Sequence, residues 1–478
     1  MATSHVFALN SITTSQTVNY LLMKHLLIIT SIVSLGQASA IAETPLVPAQ
    51  WKTTVGMNAA ASSSGDWWTV FNDSRLTKLI EEAKASYPGL NAAMARVDQA
   101  RAALRMARSG LLPRVMALAD VGRSRASDTV YDFSFGTLSN FGASAELSYE
   151  VDVWGRLRGQ VNAARSEADG ALADWHAMNL VLAGEVARLH FVLQSLDEEN
   201  NVLQQTLKLR HEALEMATAR VNAGATNELD RVRAEAELAT TEAEIAALVG
   251  PRAELENSLA LALGKVASNF TVPTGKPPSA LPNVPKVVPS ELVQRRPDVA
   301  AAMRRVEAAQ TRIGVAHATY FPKFTLGAGV GTQTSRTEKF FDRDSQTWSL
   351  GLRVSVPLFV GGQRKASVDA ARGALKEVTG FYEEKVLTAF KEVESLMAKL
   401  AAHQLQSAAQ ERLQTAADAA AKLARQRYSE GITTYLEVIE AERTSLSARR
   451  ALVQLRGQRL LTTVQLIQAL GGGWSAAK

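Results

Sequence analysis

Apolar and polar positions alternate with period two in four short segments of the chain, and repeat every seven residues in much longer ones. Ala145, Leu147, Tyr149, Val151 and Val153 interleave with Ser144, Glu146, Ser148, Glu150 and Asp152. Trp348, Leu350, Leu352, Val354 and Val356 interleave with Ser349, Gly351, Arg353 and Ser355, and Phe324, Leu326, Ala328 and Val330 with Thr325, Gly327, Gly329 and Gly331. Val115 to Arg125 is a weaker fourth segment. Such alternation predicts strands with one face in an apolar medium and the other in water. Each run is about ten residues, the length a tilted strand needs to cross a bilayer. Tyr131, Phe133, Phe135 and Phe141 lie near the ends of one strand pair, and Phe340, Phe341 and Trp348 near the ends of the other, as an interfacial belt requires. The polar links, roughly residues 126–142 and 335–346, then read as exposed loops. The same alternation would also suit a soluble sheet packed on a core.

After each second strand the spacing changes. Trp175, Leu182, Leu189, Leu196 and Leu203 fall seven apart, with Met178 and Val192 between them; Val386, Phe390, Val393, Met397 and Leu400 step by four and three. This is coiled-coil spacing. Glu185, Glu199 and Arg210 interrupt the seam, and abundant Ala permits close helix packing. A helix from about Arg156 to Asn222 would be about 100 Å long. The chain turns back at Gly224 and Gly431, where Gly is the expected C-terminal breaker, and the returning helices end near Gly264 and Gly471. Pro273, Pro277, Pro278, Pro282, Pro285 and Pro289 mark a linker, after which Pro297-Asp298 opens a helix.

This order of segments occurs twice. Val97-Asp98-Gln99-Ala100 leading to Pro113 is echoed by Val306-Glu307-Ala308-Ala309 leading to Pro322. Arg220, Gly224, Thr226 and Leu229 keep their spacing in Arg427, Gly431, Thr433 and Leu436. The predicted organisation is a first repeat over 66–264 (β-hairpin 114–153, helical hairpin 155–264), a linker over 265–289, and a second repeat over 290–471 (β-hairpin 323–359, helical hairpin 361–471). That pattern describes part of a symmetric object rather than two catalytic domains. If the strands lie in lipid, four of them cannot close around a water-filled lumen, and open edges would leave unpaired backbone groups. Several chains must then share one barrel.

Composition narrows the chemistry. The net charge of the 478-residue chain is +5 with no basic run, which argues against nucleic-acid binding. There is no Cys, so disulfides, Cys-ligated metals, thiol catalysis and a lipid on an N-terminal Cys are excluded. Met23-Lys24-His25, the apolar run from Leu26 to Leu35 and Ala38-Ser39-Ala40 predict a signal peptide over 1–40 with the true start at Met23 and a mature, unlipidated N terminus near Ile41. The seven His are scattered, with no metal-ligand spacing. Gly327-Ala-Gly329-Val-Gly331 imitates a dinucleotide loop, but Thr332 replaces the third Gly and the motif falls inside a strand pattern. No nucleophile elbow or phosphate loop is present, so an enzyme is not expected, nor a cofactor or metal.

Asp66-Trp67-Trp68…Phe71-Asn-Asp-Ser-Arg-Leu76, Glu150-Val-Asp-Val-Trp154-Gly-Arg-Leu-Arg158, Arg296-Pro-Asp298, Pro357-Leu-Phe-Val-Gly-Gly362 and Ala469-Leu-Gly-Gly-Gly-Trp474 together resemble the outer membrane factor (outer membrane efflux protein) family of tripartite efflux systems, in its drug-efflux and nodulation-type branch. The resemblance runs from about Trp51 to Trp474. It implies a mixed α and β membrane protein: a homotrimer with a 12-stranded outer-membrane β-barrel, four strands per chain, continuous with a long periplasmic α-helical coiled-coil barrel. It implies a passive duct for small toxic molecules or drugs, set among outer-membrane lipids and fed by an inner-membrane RND-type pump through a periplasmic adaptor (membrane fusion) protein. It places Arg220, Gly224, Arg427, Tyr428 and Gly431 at adaptor-contacting tip turns. Relatives carry constricting acidic rings just after the second turn, and the matching positions are Glu437 and Glu440, which share a helix face. Thr433 stands where some relatives place an acid, and Asp230 is a weaker counterpart in the first repeat. These carboxylates would equally solvate a helix end. A duct for a secreted protein or polysaccharide (type I secretion) and a soluble periplasmic coiled-coil scaffold are the alternative readings.

Overall fold

The computed structural model describes residues 47–53, 57–58, 66–125, 127, 129, 136–278, 281–282, 284–285 and 288–474. The expected signal peptide (1–40, start Met23), the terminus near Ile41 and the aromatics Tyr131, Phe133 and Phe135 lie outside these residues.

Two short helices, α1 (Ser74–Ser86) and α2 (Pro88–Ser109), lead into strands β1 (Arg114–Arg125) and β2 (Thr137–Val151). A 67-residue helix α3 (Arg156–Asn222) and a 35-residue helix α4 (Glu228–Ala262) follow. The second copy repeats the plan with α5 (Pro289–Arg295), α6 (Pro297–Ala318), β3 (Lys323–Thr334) and β4 (Gln346–Ser355). It ends on a 67-residue α7 (Gln363–Ser429) and a 35-residue α8 (Tyr435–Ala469). The two hairpins therefore match in length, element for element. In the linker, a two-residue parallel bridge joins Met57–Asn58 to Val284–Pro285.

The four longer strands form one antiparallel sheet in the order β1-β2-β3-β4. Its register carries Val115 through Leu147 and Ala328 to Leu350, and Ala117 through Ala145 and Val330 to Trp348, so the apolar positions line up on one face. Met116, Glu146, Gly329 and Ser349 fall on the opposite face. Strand β2 is longer than its alternation indicates. It begins at Thr137, so Phe141 pairs with Val121 and Thr334 rather than sitting in a loop. Thr137 to Gly142 does not alternate strictly; the ladder to β1 holds it extended. The outer edges of β1 and β4 take no partner strand among the described residues.

The strands hand over to the helices at fixed contacts. Trp154 donates its indole N–H to the Pro322 carbonyl (2.8 Å) and stacks on Phe321, tying the two copies together below the sheet. Asp152 accepts from the backbone N–H groups of Leu157 (3.1 Å) and Arg158 (2.8 Å), capping α3. No described helix is long and apolar enough to cross a membrane.

Apolar burial concentrates in a belt midway along the long helices. Trp67, Trp68, Phe71, Leu76 and Ile80 pack on Leu182, Leu189, Phe191 and Leu193 of α3. The seam residues Val386, Phe390, Val393, Met397 and Leu400 pack with Leu292, Val299 and Leu466. Each fully buried Leu of this belt contributes about 1.5–3 kcal/mol. Two of the seam interruptions are not solvent-facing. Glu199 and Arg210 are buried, and each is paired with an opposite charge.

Candidate functional site

The tips of the two helical hairpins have the same backbone chemistry. At the end of α3 the Ala225 N–H reaches the Arg220 carbonyl (2.8 Å) and the Gly224 N–H reaches Val221 (2.9 Å). At the end of α7 the Ile432 N–H reaches Arg427 (2.9 Å) and the Gly431 N–H reaches Tyr428 (3.0 Å). These paired bonds satisfy the last helical carbonyls and require a left-handed residue, which Gly224 (φ +69°) and Gly431 (φ +78°) supply.

Arg220 joins the tips. Its guanidinium donates to the Tyr428 carbonyl and lies 4.7 Å from the Tyr428 ring centroid. Tyr428 is buried; its ring packs 5.3 Å from that of Tyr435, with Ala217, Ala234, Val438 and Ile439 completing a small core. Burial pushes both phenols above their ordinary range. Arg427, the counterpart of Arg220, is exposed instead. Thr433 is half-buried in the second turn, and its hydroxyl has no partner.

Glu437 lies in the first turn of α8 and Glu440 one turn on; both are exposed. With Arg427, Leu423 and Thr444 they line a groove of about 430 Å³ between α7 and α8. Asp230, at Glu437's position in the first hairpin, is not free in the same way. It accepts from the Thr226 hydroxyl (2.5 Å) and lies 4.0 Å from Arg233.

Behind the tips runs a charge ladder that periodicity alone did not reveal. Arg210 pairs with Glu237 (2.8 Å) and donates to Thr241 (2.7 Å), and Glu237 also accepts from Arg443 (2.9 Å). Arg450 bridges Glu199 (2.8 Å) and Glu244 (3.2 Å), linking α8 to α3 and α4. Glu442 faces Arg425 at 3.4 Å, and its burial pushes its carboxyl above the usual carboxylate range. The one signal in the sequence was a charge on a coiled-coil seam. Such a charge is rarely buried without a partner.

A family model described as outer membrane efflux protein matches residues 79–265 and 288–472, one stretch in each copy. The chain belongs to the outer membrane efflux protein family. Among relatives, the pyoverdine export outer membrane protein OpmQ of Pseudomonas putida is 31% identical over 90% of this chain and 92% of its own. The toluene efflux pump outer membrane protein TtgI of Pseudomonas putida is 30% identical over 85% of this chain and 87% of its own. The solved outer-membrane channel OprN superposes with a TM-score of 0.83 at 27% identity, covering 90% of this chain and 98% of that one. The fold is that of these trimeric channels. Each chain contributes four strands of a twelve-stranded outer-membrane β-barrel, continuous with a periplasmic barrel of long helices. This outer membrane efflux protein is thus a component of small-molecule efflux in the outer membrane with a periplasmic extension, and its family and fold are those of channels rather than enzymes. The soluble-scaffold alternative falls with that assignment.

Proposed function

We propose that this efflux protein is the passive exit duct of a tripartite pump for small toxic or drug-like molecules. A homotrimer would receive them from an inner-membrane RND-type pump through a periplasmic adaptor. The observation that carries the reading is the continuity of a sheet with two open edges into two long helical hairpins, the second of which carries the exposed acids Glu437 and Glu440 at its tip. The edges need neighbours in lipid, because an unpaired backbone group there costs several kcal/mol. The named cargoes of the relatives, pyoverdine and toluene, support a small-molecule cargo. The exposed turns at Gly224 and Gly431, with Arg427, offer the adaptor a polar surface, while Arg220 and Tyr428 hold the turns from behind. Glu437 and Glu440 are read as the aperture, three copies forming two anionic rings; Asp230, already tethered, contributes less, and Thr433 carries no charge to the ring. The expected export signal over 1–40 belongs to the same reading.

Purification in detergent, native mass measurement and planar-bilayer recording test this together. A trimer that conducts is the expected result. A monomer that stays dissolved without detergent and carries no current would refute it.

A further inference from the structure

Among the described residues the outer edges of β1 and β4 take no partner strand, and in the shared barrel β4 of one copy pairs with β1 of the next. A shared barrel does not by itself say which residues of the two edges face each other. The internal repeat does.

The first strands of the two hairpins correspond at an offset of 209 residues (323 less 114). Both run for 12 residues, Arg114–Arg125 and Lys323–Thr334, and each follows a Pro. The second strands correspond at an offset of 207 (355 less 148), because Arg114 pairs with Ser148 and Lys323 with Ser355. The same offset separates Gly155 and Gly362, the left-handed residues that open the two long helices. Within the chain the two hairpins meet at the β2–β3 seam, where Glu146 lies opposite Gly329 and Ala145 opposite Val330. Every seam of the barrel joins the second strand of one hairpin to the first strand of the next, and strand stagger is fixed by closure. Carrying the β2–β3 register to the seam between copies sets Arg353 opposite the next chain's Asp120, and Leu352 opposite its Val121.

The charges agree with a register in which they played no part. Asp120 lies four residues on from Met116, and Arg353 four on from Ser349, so both are on the polar face of the sheet. Both are exposed. Arg353 has no hydrogen bond or ion pair among the described residues. Thr325 lies opposite it, and the acid one strand further, Glu150, is held by Arg156 (2.8 Å) and Lys323 (2.8 Å). Asp120 accepts from the Asn140 side-chain amide through Oδ2, and a carboxylate has lone pairs for a further donor. Residues directly opposite in an antiparallel pair have Cβ atoms about 4.5–5.5 Å apart, within reach of an Arg–Asp bond. A slip of two residues either way would set Arg353 against Leu118 or Gly122, and a slip of one would turn the polar face of β4 toward lipid.

We propose that an ion pair between Arg353 of one copy and Asp120 of the next crosses each seam between copies on the lumen side and fixes its register. On the lipid side the same register sets Leu352 beside Val121 and Val354 beside Ala119, so the apolar band runs unbroken across the seam. The proposal rests on the shared barrel and is independent of the cargo and of the aperture.

The chain has no Cys, so introduced pairs report alone. Val121→Cys with Leu352→Cys leaves the charged pair in place. Oxidation of the full-length protein in the outer membrane should give covalent dimers and trimers on a denaturing gel. A disulfide needs Cβ atoms about 3.5–4.5 Å apart, and β1 and β4 of one chain are three strand spacings apart, about 14 Å, so the ladder reads contacts between copies. Leu352→Cys with Ala119→Cys or with Arg123→Cys, the registers slipped by two, should cross-link about tenfold less. Asp120→Arg and Arg353→Asp should each cut the trimer recovered, measured by native mass, by about fivefold or more, since like charges then face each other at every such seam. The two substitutions together should restore it, which a loss of packing would not allow. A ladder from a slipped pair, single exchanges recovered at wild-type level, or no rescue by the double exchange would overturn the register and leave the trimer standing. A wild-type monomer would refute the shared barrel and the register with it.

Discussion

Arg233 lies 4.0 Å from Asp230 in the first hairpin, whereas the corresponding positions of the second hairpin hold Glu440 and Glu437. The repeat that matches the hairpins in length is broken in charge at this step. One face is internally neutralised; the other carries two acids whose nearest base on the same helix, Arg443, is already bonded to Glu237. In the proposed aperture the second face would then contribute more negative charge than the first. Like charges 4 Å apart repel by about 1 kcal/mol in bulk water, and by more where protein displaces solvent.

The first prediction follows from that asymmetry. Glu437→Gln together with Glu440→Gln should raise the divalent-cation concentration needed to block current in planar bilayers by about tenfold or more, the equivalent of about 1.4 kcal/mol of binding. Glu440→Arg alone, which copies the first hairpin, should have a similar effect. Asp230→Asn should do less, because its charge is already engaged. Unchanged block in the double variant would remove these residues from the aperture while leaving the duct intact.

A second prediction concerns the strap between hairpins. Arg220 contributes a charged hydrogen bond to the Tyr428 carbonyl and a contact with its ring. A hydrogen bond of this type contributes about 1.5–3 kcal/mol. Arg220→Met should leave the belt and the global melting temperature nearly unchanged and release the tips locally. Amide exchange in peptides spanning 220–230 and 427–435 should quicken by tenfold or more, with a rise in basal conductance. Exchange confined to wild-type rates would show that the strap is dispensable.

How much of this could be read from the chain depended on distance along it. The turns at Gly224 and Gly431 were legible because one residue type meets a local backbone demand. The helices and most of each strand were legible because burial follows their period. The start of β2 was not, since Thr137 to Gly142 is held extended by its ladder to β1, with β3 joining only at Phe141, rather than by its own pattern. Arg210 read as a defect in a seam because its partner Glu237 belongs to the returning helix. A cavity under Trp68 and Gly472 joins segments from the two ends of the chain, and no window along the sequence contains both.

A third prediction tests the belt through pH. Asp73 caps α1 by accepting from the N–H groups of Arg75 (2.8 Å) and Leu76 (3.0 Å), and also bonds the buried His190 (2.7 Å). The His190 hydrogen bond, with those backbone donors, holds the Asp73 carboxyl well below the usual carboxylate range in spite of burial. A depressed folded pKa contributes stability that is present above the unfolded value of about 3.9 and is lost as pH falls toward the folded one. Asp73→Asn keeps a capping oxygen and loses the charge. It should be about 1.5–3 kcal/mol less stable than wild type at pH 6, and the gap between the two thermal unfolding curves should narrow progressively as pH falls below about 4. A gap that persists unchanged into strong acid would place the loss in packing instead.

The fourth prediction sets two glycines of the same sheet face against each other. Gly331 lies opposite Ser144, and a Cβ there would meet the Ala143 carbonyl oxygen at 2.4 Å and the Ser144 Cα at 2.8 Å. Those are backbone atoms of a paired strand, so neither can swing aside. Gly351 also lies opposite a strand, paired with Gly327, but a Cβ added to it would meet nothing within 4 Å. Gly331→Ala should therefore force β2 and β3 apart, at a cost of about 1–3 kcal/mol or more per chain. In a shared barrel the distortion is repeated in every chain, and it displaces the edges that must pair with neighbours. The expected result is a sharp fall in trimer recovered from the outer membrane for Gly331→Ala, measured by native mass, with Gly351→Ala recovered at wild-type level. Equal recovery of the two variants would mean that β2 and β3 do not keep this spacing in the assembled barrel.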